Sequence, residues 1–179
     1  MVDLAFETKA KITCFAYGQT GSGKTYTMMG PGYNKDMSTP GLYLLCSYDI
    51  MNFLEKDEYK HLEIWVSFYE IYCNKLYDLL NERGILHARE DGKQNICISG
   101  LMEKQVFSLK ELMDIIDFGL KTRTTGITGA NMDSSRSHAI LQIQLKDSEK
   151  GTNEGKISFI DLAGSERAVD TIDTNKQTK

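Results

Sequence analysis

The chain has 179 residues, 41% of them apolar, enough for one domain with a sizeable core. Twenty-five acidic against 21 basic residues give a net charge of -4 and a pI near 5.4, which excludes a nucleic-acid binder working by bulk positive charge. Cys14, Cys46, Cys73 and Cys97 lie far apart without a CxxC pair or Cys/His ligand spacing, so neither a zinc site nor a disulfide framework is expected. No apolar run approaches the roughly 18 residues a spanning helix needs. The first residues carry an acid where a signal peptide has basic groups, and Asn-x-Ser/Thr is absent. The expected setting is therefore the cytosol or nucleus, with no membrane and no nucleic acid as partner.

In chain order, residues 12–17 form a short apolar run ending at Gly18, the pattern of a strand buried on both faces. A glycine-rich turn and a helix start follow. Beyond a polar loop at 30–40, Leu42, Leu45, Cys46, Ile50, Phe53 and Leu54 recur at helical spacing, and that helix should end near Glu55. Leu62, Ile64, Val66 and Phe68 alternate strictly, which predicts a half-buried strand continuing to about Tyr72. Asp91-Gly92 reads as a hairpin turn between stretches around Leu86 and Ile96 to Ile98. Ser108 and Glu111 have capping-box spacing, and Leu109, Leu112, Ile116 and Leu120 carry an amphipathic helix to about Arg123. Two strands close the pattern, Ala139 to Leu145 and Lys156 to Asp161, separated by a polar turn. The class is α/β, with no internal repeat and no domain linker.

Gly18-Gln19-Thr20-Gly21-Ser22-Gly23-Lys24-Thr25 fits G-x-x-x-x-G-K-[ST], after a predicted strand and before a predicted helix. Glycines there let successive backbone N–H groups converge on a di- or triphosphate. Lys24 reaches the terminal phosphates, and the Thr25 hydroxyl is placed to ligate Mg²⁺. A second element, Ile157 to Asp161 followed by Gly164, is an apolar strand ending in a carboxylate. It has the logic of a residue that holds Mg²⁺ through water and a glycine whose N–H meets a γ-phosphate. A third, Asn131-Met-Asp-Ser134-Ser135-Arg136-Ser137-His138, is a polar run before a strand. Its hydroxyls suit a magnesium shell, and Arg136 suits a pair with Glu166. His138 by itself reads as a satisfied strand histidine sooner than a catalytic base.

These residues carry a resemblance. Phe15 to Thr25, Asn131 to His138 and Asp161 to Glu166 resemble the P-loop, switch I and switch II of the kinesin motor domain, in that family's order. Phe68-Tyr-Glu-Ile-Tyr72 with Asp78-Leu-Leu80 resembles its strand leading into the microtubule-facing hairpin. A finer similarity is to the internal-motor kinesins that depolymerise microtubules, through Thr13-Cys-Phe15, Glu90 to Gln94, Ala168 to Thr171 and Gln177 to Lys179. Ser165 departs from the Asn usual in that subclass.

The resemblance implies a P-loop NTPase fold, a mixed β-sheet flanked by helices. Residues 1–179 would be a central part of the motor domain, from P-loop through switch II, without the N-terminal strands and C-terminal tubulin-docking helices. It implies an ATPase using ATP and Mg²⁺ and acting on microtubules or tubulin in the cytoplasm and cytoskeleton, with depolymerisation as the activity. Gly18 to Tyr26 would bind nucleotide, and Thr25, Ser135 and Asp161 would hold the metal, Asp161 through water. Asn131 and Ser134 would contact nucleotide or the attacking water, Gly164 would sense the γ-phosphate, and Arg136 and Glu166 would meet across it. The hairpin with Arg89 and Lys93 and the loop with Arg167, Lys176 and Lys179 would face tubulin. The alternative is an inactive fragment that binds nucleotide or tubulin without turnover. A GTPase is disfavoured, since Asn74-Lys-Leu-Tyr77 and Asn175-Lys-Gln-Thr178 both lack the Asp of Asn-Lys-x-Asp.

Overall fold

In the computed structural model, the described residues are 1–31, 38–92, 94, 96–125 and 136–166. Their sheet has eight strands. These are β1 (Lys11–Ala16), β2 (Leu62–Tyr72), β3 (Lys75–Asp78), β4 (Gly84–Glu90), β5 (Ile96–Ser99), β6 (Lys104–Val106), β7 (Ser137–Asp147) and β8 (Asn153–Asp161). The order is β1-β8-β7-β2-β3-β4-β5, with β6 beside β2. Only β1 and β8 run parallel; β2, β7 and β8 form an antiparallel centre. The sheet is thus mixed, as expected.

Alternation decides which residues reach the core. On β2 the even positions Ile64, Val66 and Phe68 are buried, and on β7 and β8 the odd positions Leu141, Ile143, Leu145, Ile157 and Phe159 join them. Helices α1 (Val2–Glu7), α2 (Lys24–Met29), α3 (Leu42–Leu54) and α4 (Leu109–Thr125) contribute their apolar stripes to this same core. Each fully buried Phe or Leu here contributes about 1.5–3 kcal/mol. A smaller cluster of Tyr69, Leu86 and Ile140 lies on the opposite parity, where β3, β4 and β5 form a lobe.

Local signals account for the element ends. The Ser108 hydroxyl accepts the Glu111 N–H at 3.2 Å, and the Glu111 carboxylate accepts the N–H of Phe107 at 2.9 Å, which caps α4. The predicted helix 42–55 is found as α3. The hairpin at Asp91-Gly92 joins β4 to β5, closed by a Gln94 N–H to Asp91 carbonyl bond of 3.0 Å. One expectation is corrected: β1 is not buried on both faces. Lys11, Thr13 and Phe15 are exposed while Ile12, Cys14 and Ala16 are half-buried, because among the described residues β1 pairs only with β8 and the helices cover one face. The short elements α1, β3 and β6 carry too few residues for periodicity to announce them.

Candidate functional site

The glycine-rich turn Gly18 to Gly23 leaves the C-terminal end of β1 and enters α2. Gly21 and Gly23 take φ of +80° and +87°, a left-handed backbone that a side chain would strain. Thr20, Gly21, Gly23, Lys24, Thr25, Tyr26 and Leu162 line a cleft of about 230 Å³. Lys24 lies back across its own loop, its Nζ donating to the carbonyls of Gly18 at 2.8 Å and Gln19 at 2.9 Å. Tyr26 extends outward, its hydroxyl 3.0 Å from that of Thr39.

At the end of the neighbouring strand, Asp161 occupies a core-facing position and is 2% exposed. The Thr25 hydroxyl donates to its Oδ2 at 2.8 Å. The same oxygen accepts the Arg123 guanidinium from the last turn of α4, also at 2.8 Å. Arg123 donates further to the Ser137 hydroxyl and carbonyl, and its Nε lies 3.7 Å from Oε1 of Glu70, a fully buried carboxylate on β2. Glu70 in turn accepts Arg83 at 2.5 Å. Register explains this cluster. Ala139 on β7 is the Cα partner of both Glu70 and Asp161, so the two carboxylates flank a small side chain, and the guanidinium fills the space between them.

The segment after β8 folds over the glycine-rich turn. Ser165 N–H donates to the Gly18 carbonyl at 3.1 Å, and Glu166 accepts the Thr20 N–H at 3.0 Å together with the Thr20 hydroxyl. These bonds, led by the Thr20 hydroxyl, hold the Glu166 carboxyl below its usual range. Gly164 lies under that carboxylate, since a Cβ there would stand 2.4 Å from Glu166 Oε1. His138 Nδ1 accepts the Ala163 N–H at 3.0 Å, and burial is the main cause that lowers its pKa.

A family model for the kinesin motor domain matches residues 1–179. The chain belongs to the kinesin motor-domain family. It is 60% identical over 168 residues to kinesin-like protein KIF24 of Homo sapiens, and 50% identical over 187 residues to kinesin-like protein KIN-13B of Arabidopsis thaliana. These alignments take in 93% and 100% of this chain but 12% and 25% of those proteins. Among solved structures it is similar to that of a fast kinesin, with a TM-score of 0.77 and 33% identity, covering 92% of this chain and 47% of that one. The kinesin fold expected from the sequence is therefore the fold found.

Within this kinesin segment the structure brings Asp161, Gly164 and Glu166 against the Gly18 to Tyr26 turn, Asp161 through Thr25 and the other two beside Thr20. Arg136 is exposed at the entrance to β7. Asn131, Ser134 and Ser135 lie outside the described residues, as do Lys93, Arg167, Lys176 and Lys179. Sequence reasoning gave no role to Arg123 or Glu70. The signal for Glu70 was present: it continues the even-numbered series Leu62, Ile64, Val66, Phe68, so its carboxylate had to point into the core and be balanced there. For Arg123 no comparable signal exists, because a basic residue in the last turn of a helix ordinarily serves the helix dipole.

Proposed function

We propose that this segment is the nucleotide-binding part of an ATP-driven kinesin motor that acts on microtubules, with depolymerisation as its action. The observation that carries the nucleotide reading is the pairing of Thr25 with Asp161 at the mouth of the glycine-rich turn. Asp161 Oδ1 is buried without a hydrogen-bond partner, and a buried lone carboxylate oxygen beside a hydroxyl is a donor set suited to Mg²⁺ and its waters. Thr25 and Asp161, with Ser135, would hold the ion. Mg²⁺ bound there supplies charge neutralisation and orientation for the β- and γ-phosphates.

The chain's own residues do the rest. Lys24 exchanges two neutral carbonyls for phosphate oxygens, a stronger charge-assisted contact. Backbone N–H groups from Gly21 to Thr25 converge on the phosphates. The α2 helix has only six residues, so the loop N–H groups contribute more than a helix dipole. Glu166 leaves Thr20 and meets Arg136, and Gly164 offers its N–H to the γ-phosphate. Asn131 and Ser134 position the water.

Tubulin is the proposed partner, contacted by the β4–β5 lobe, where Arg89 is exposed. Tubulin surfaces are acidic, so local basic groups suffice despite the net charge of -4. Depolymerisation rests on the similarity to KIF24 and KIN-13B and on the subclass motifs. The described residues contain no helix long and apolar enough to cross a membrane, and the proposed setting is the microtubule cytoskeleton. Turnover is assigned to the full-length motor. In that protein Lys24→Ala should cut ATP binding severely and abolish hydrolysis. Equal binding of labelled ATP by variant and parent would remove the assignment.

A further inference from the structure

The buried ion cluster does not stop at the nucleotide cleft. Arg83 lies in the connection between β3 and β4, at the base of the exposed lobe, with φ of +58°. Its guanidinium stands 4.8 Å over the Tyr77 ring and donates to Oε2 of Glu70 at 2.5 Å. The other Glu70 oxygen, Oε1, has no hydrogen bond and lies 3.7 Å from Arg123 Nε. Arg123 is committed elsewhere, to Asp161 and Ser137. Glu70 is thus shared unequally between two guanidinium groups.

We propose that Arg83 is a positioning residue for the metal site, setting through Glu70 and Arg123 how Asp161 is held. This rests on the reading of Thr25 and Asp161 as metal-holding residues. Glu70 is 0% exposed, so its charge must be balanced inside the protein. While Arg83 balances it, Arg123 stays on Asp161. Once Arg83 is withdrawn, Glu70 draws the Arg123 guanidinium across 3.7 Å toward a full ion pair. The Arg123 to Asp161 bond then lengthens, and hydrogen bonds weaken steeply with such a change. Asp161 keeps Thr25 but loses its fixed orientation.

The test uses the full-length motor loaded with a fluorescent ADP analogue, with Mg²⁺ titrated in an EDTA buffer and melting temperature recorded in parallel. Arg83→Met should weaken Mg²⁺ binding about tenfold, the scale on which partners behind a metal ligand act. Nucleotide affinity without metal should not change, because the glycine-rich turn is untouched. Glu70→Gln combined with Arg83→Met removes the uncompensated charge and should restore Mg²⁺ affinity, a rescue that a merely structural role does not predict. Unchanged or tighter Mg²⁺ binding in folded Arg83→Met overturns the proposal, as does a double variant no better than the single. If Arg83→Met does not fold, Arg83→Gln replaces it: it keeps a hydrogen-bond donor toward Glu70 but removes the balancing charge, so it should also weaken Mg²⁺ binding, and unchanged affinity overturns the proposal. Failure of the parent motor to take up nucleotide is a different result, which removes the metal-site reading itself.

Discussion

The Thr25 hydroxyl donates to Asp161 Oδ2 at 2.8 Å across 136 residues of sequence. The contact exists because β1 and β8 run parallel with Ala16 opposite Asp161, so the turn leaving one strand passes the carboxylate ending the other. A hydroxyl and a carboxylate so placed satisfy each other, and the bond ties the start of α2 to the end of β8.

Arg123 should be the costliest single residue to remove. Its side chain is 5% exposed and stands between Asp161 and Glu70. Arg123→Ala leaves buried carboxylates short of a cation, a loss of about 3–5 kcal/mol. Chemical denaturation of the full-length motor's head measures it, and a loss below about 1 kcal/mol would show that water reaches the cluster.

Arg136 and Glu166 are expected to act as a unit during turnover, with Glu166 moving between Thr20 and Arg136. Arg136→Ala and Glu166→Ala should each strongly reduce microtubule-stimulated hydrolysis, with ATP binding largely kept. The double variant should lose little more than either single one. A double-mutant cycle on turnover decides this: additive losses mean the two residues work independently.

His138 gives the fold a pH dependence of known sign. Burial first, then the Arg123 charge, lowers its pKa below 6.5. Unfolded chain therefore binds the proton more readily, so this contribution is complete above pH 6.5 and is lost as pH falls through the folded value. Protonation at Nδ1 also breaks the bond from Ala163 N–H. Melting temperature should fall between pH 7.5 and 5.5, and His138→Asn should flatten the fall; an equal slope in both would falsify the assignment.

The outer edge of β1 carries no strand among the described residues, and Phe15 beside it is 61% exposed. Such an edge invites pairing with other chains. Residues 1–179 expressed alone should be marginally stable and aggregate, and Phe15→Lys should slow the aggregation followed by light scattering. A cooperative, reversible melt of the monomeric segment counts against this.

Much of this protein was decided locally. The glycine-rich turn could be read because Gly, Lys and Thr at fixed spacing impose one backbone path, and the long strands because side chains alternate with period 2. The same parity placed Glu70, Ser137 and Asp161 on the core side. What the sequence could not determine was the cation that meets them. Arg123 reaches Asp161 only because α4 packs over β2 and because Ala139 separates the two carboxylate-bearing strands by one small side chain. The exposure of β1 was equally a matter of neighbours, since an apolar run is the same whether one face or two are covered. Backbone geometry travels with the residues that impose it, whereas charge compensation and cover depend on which distant elements arrive beside them.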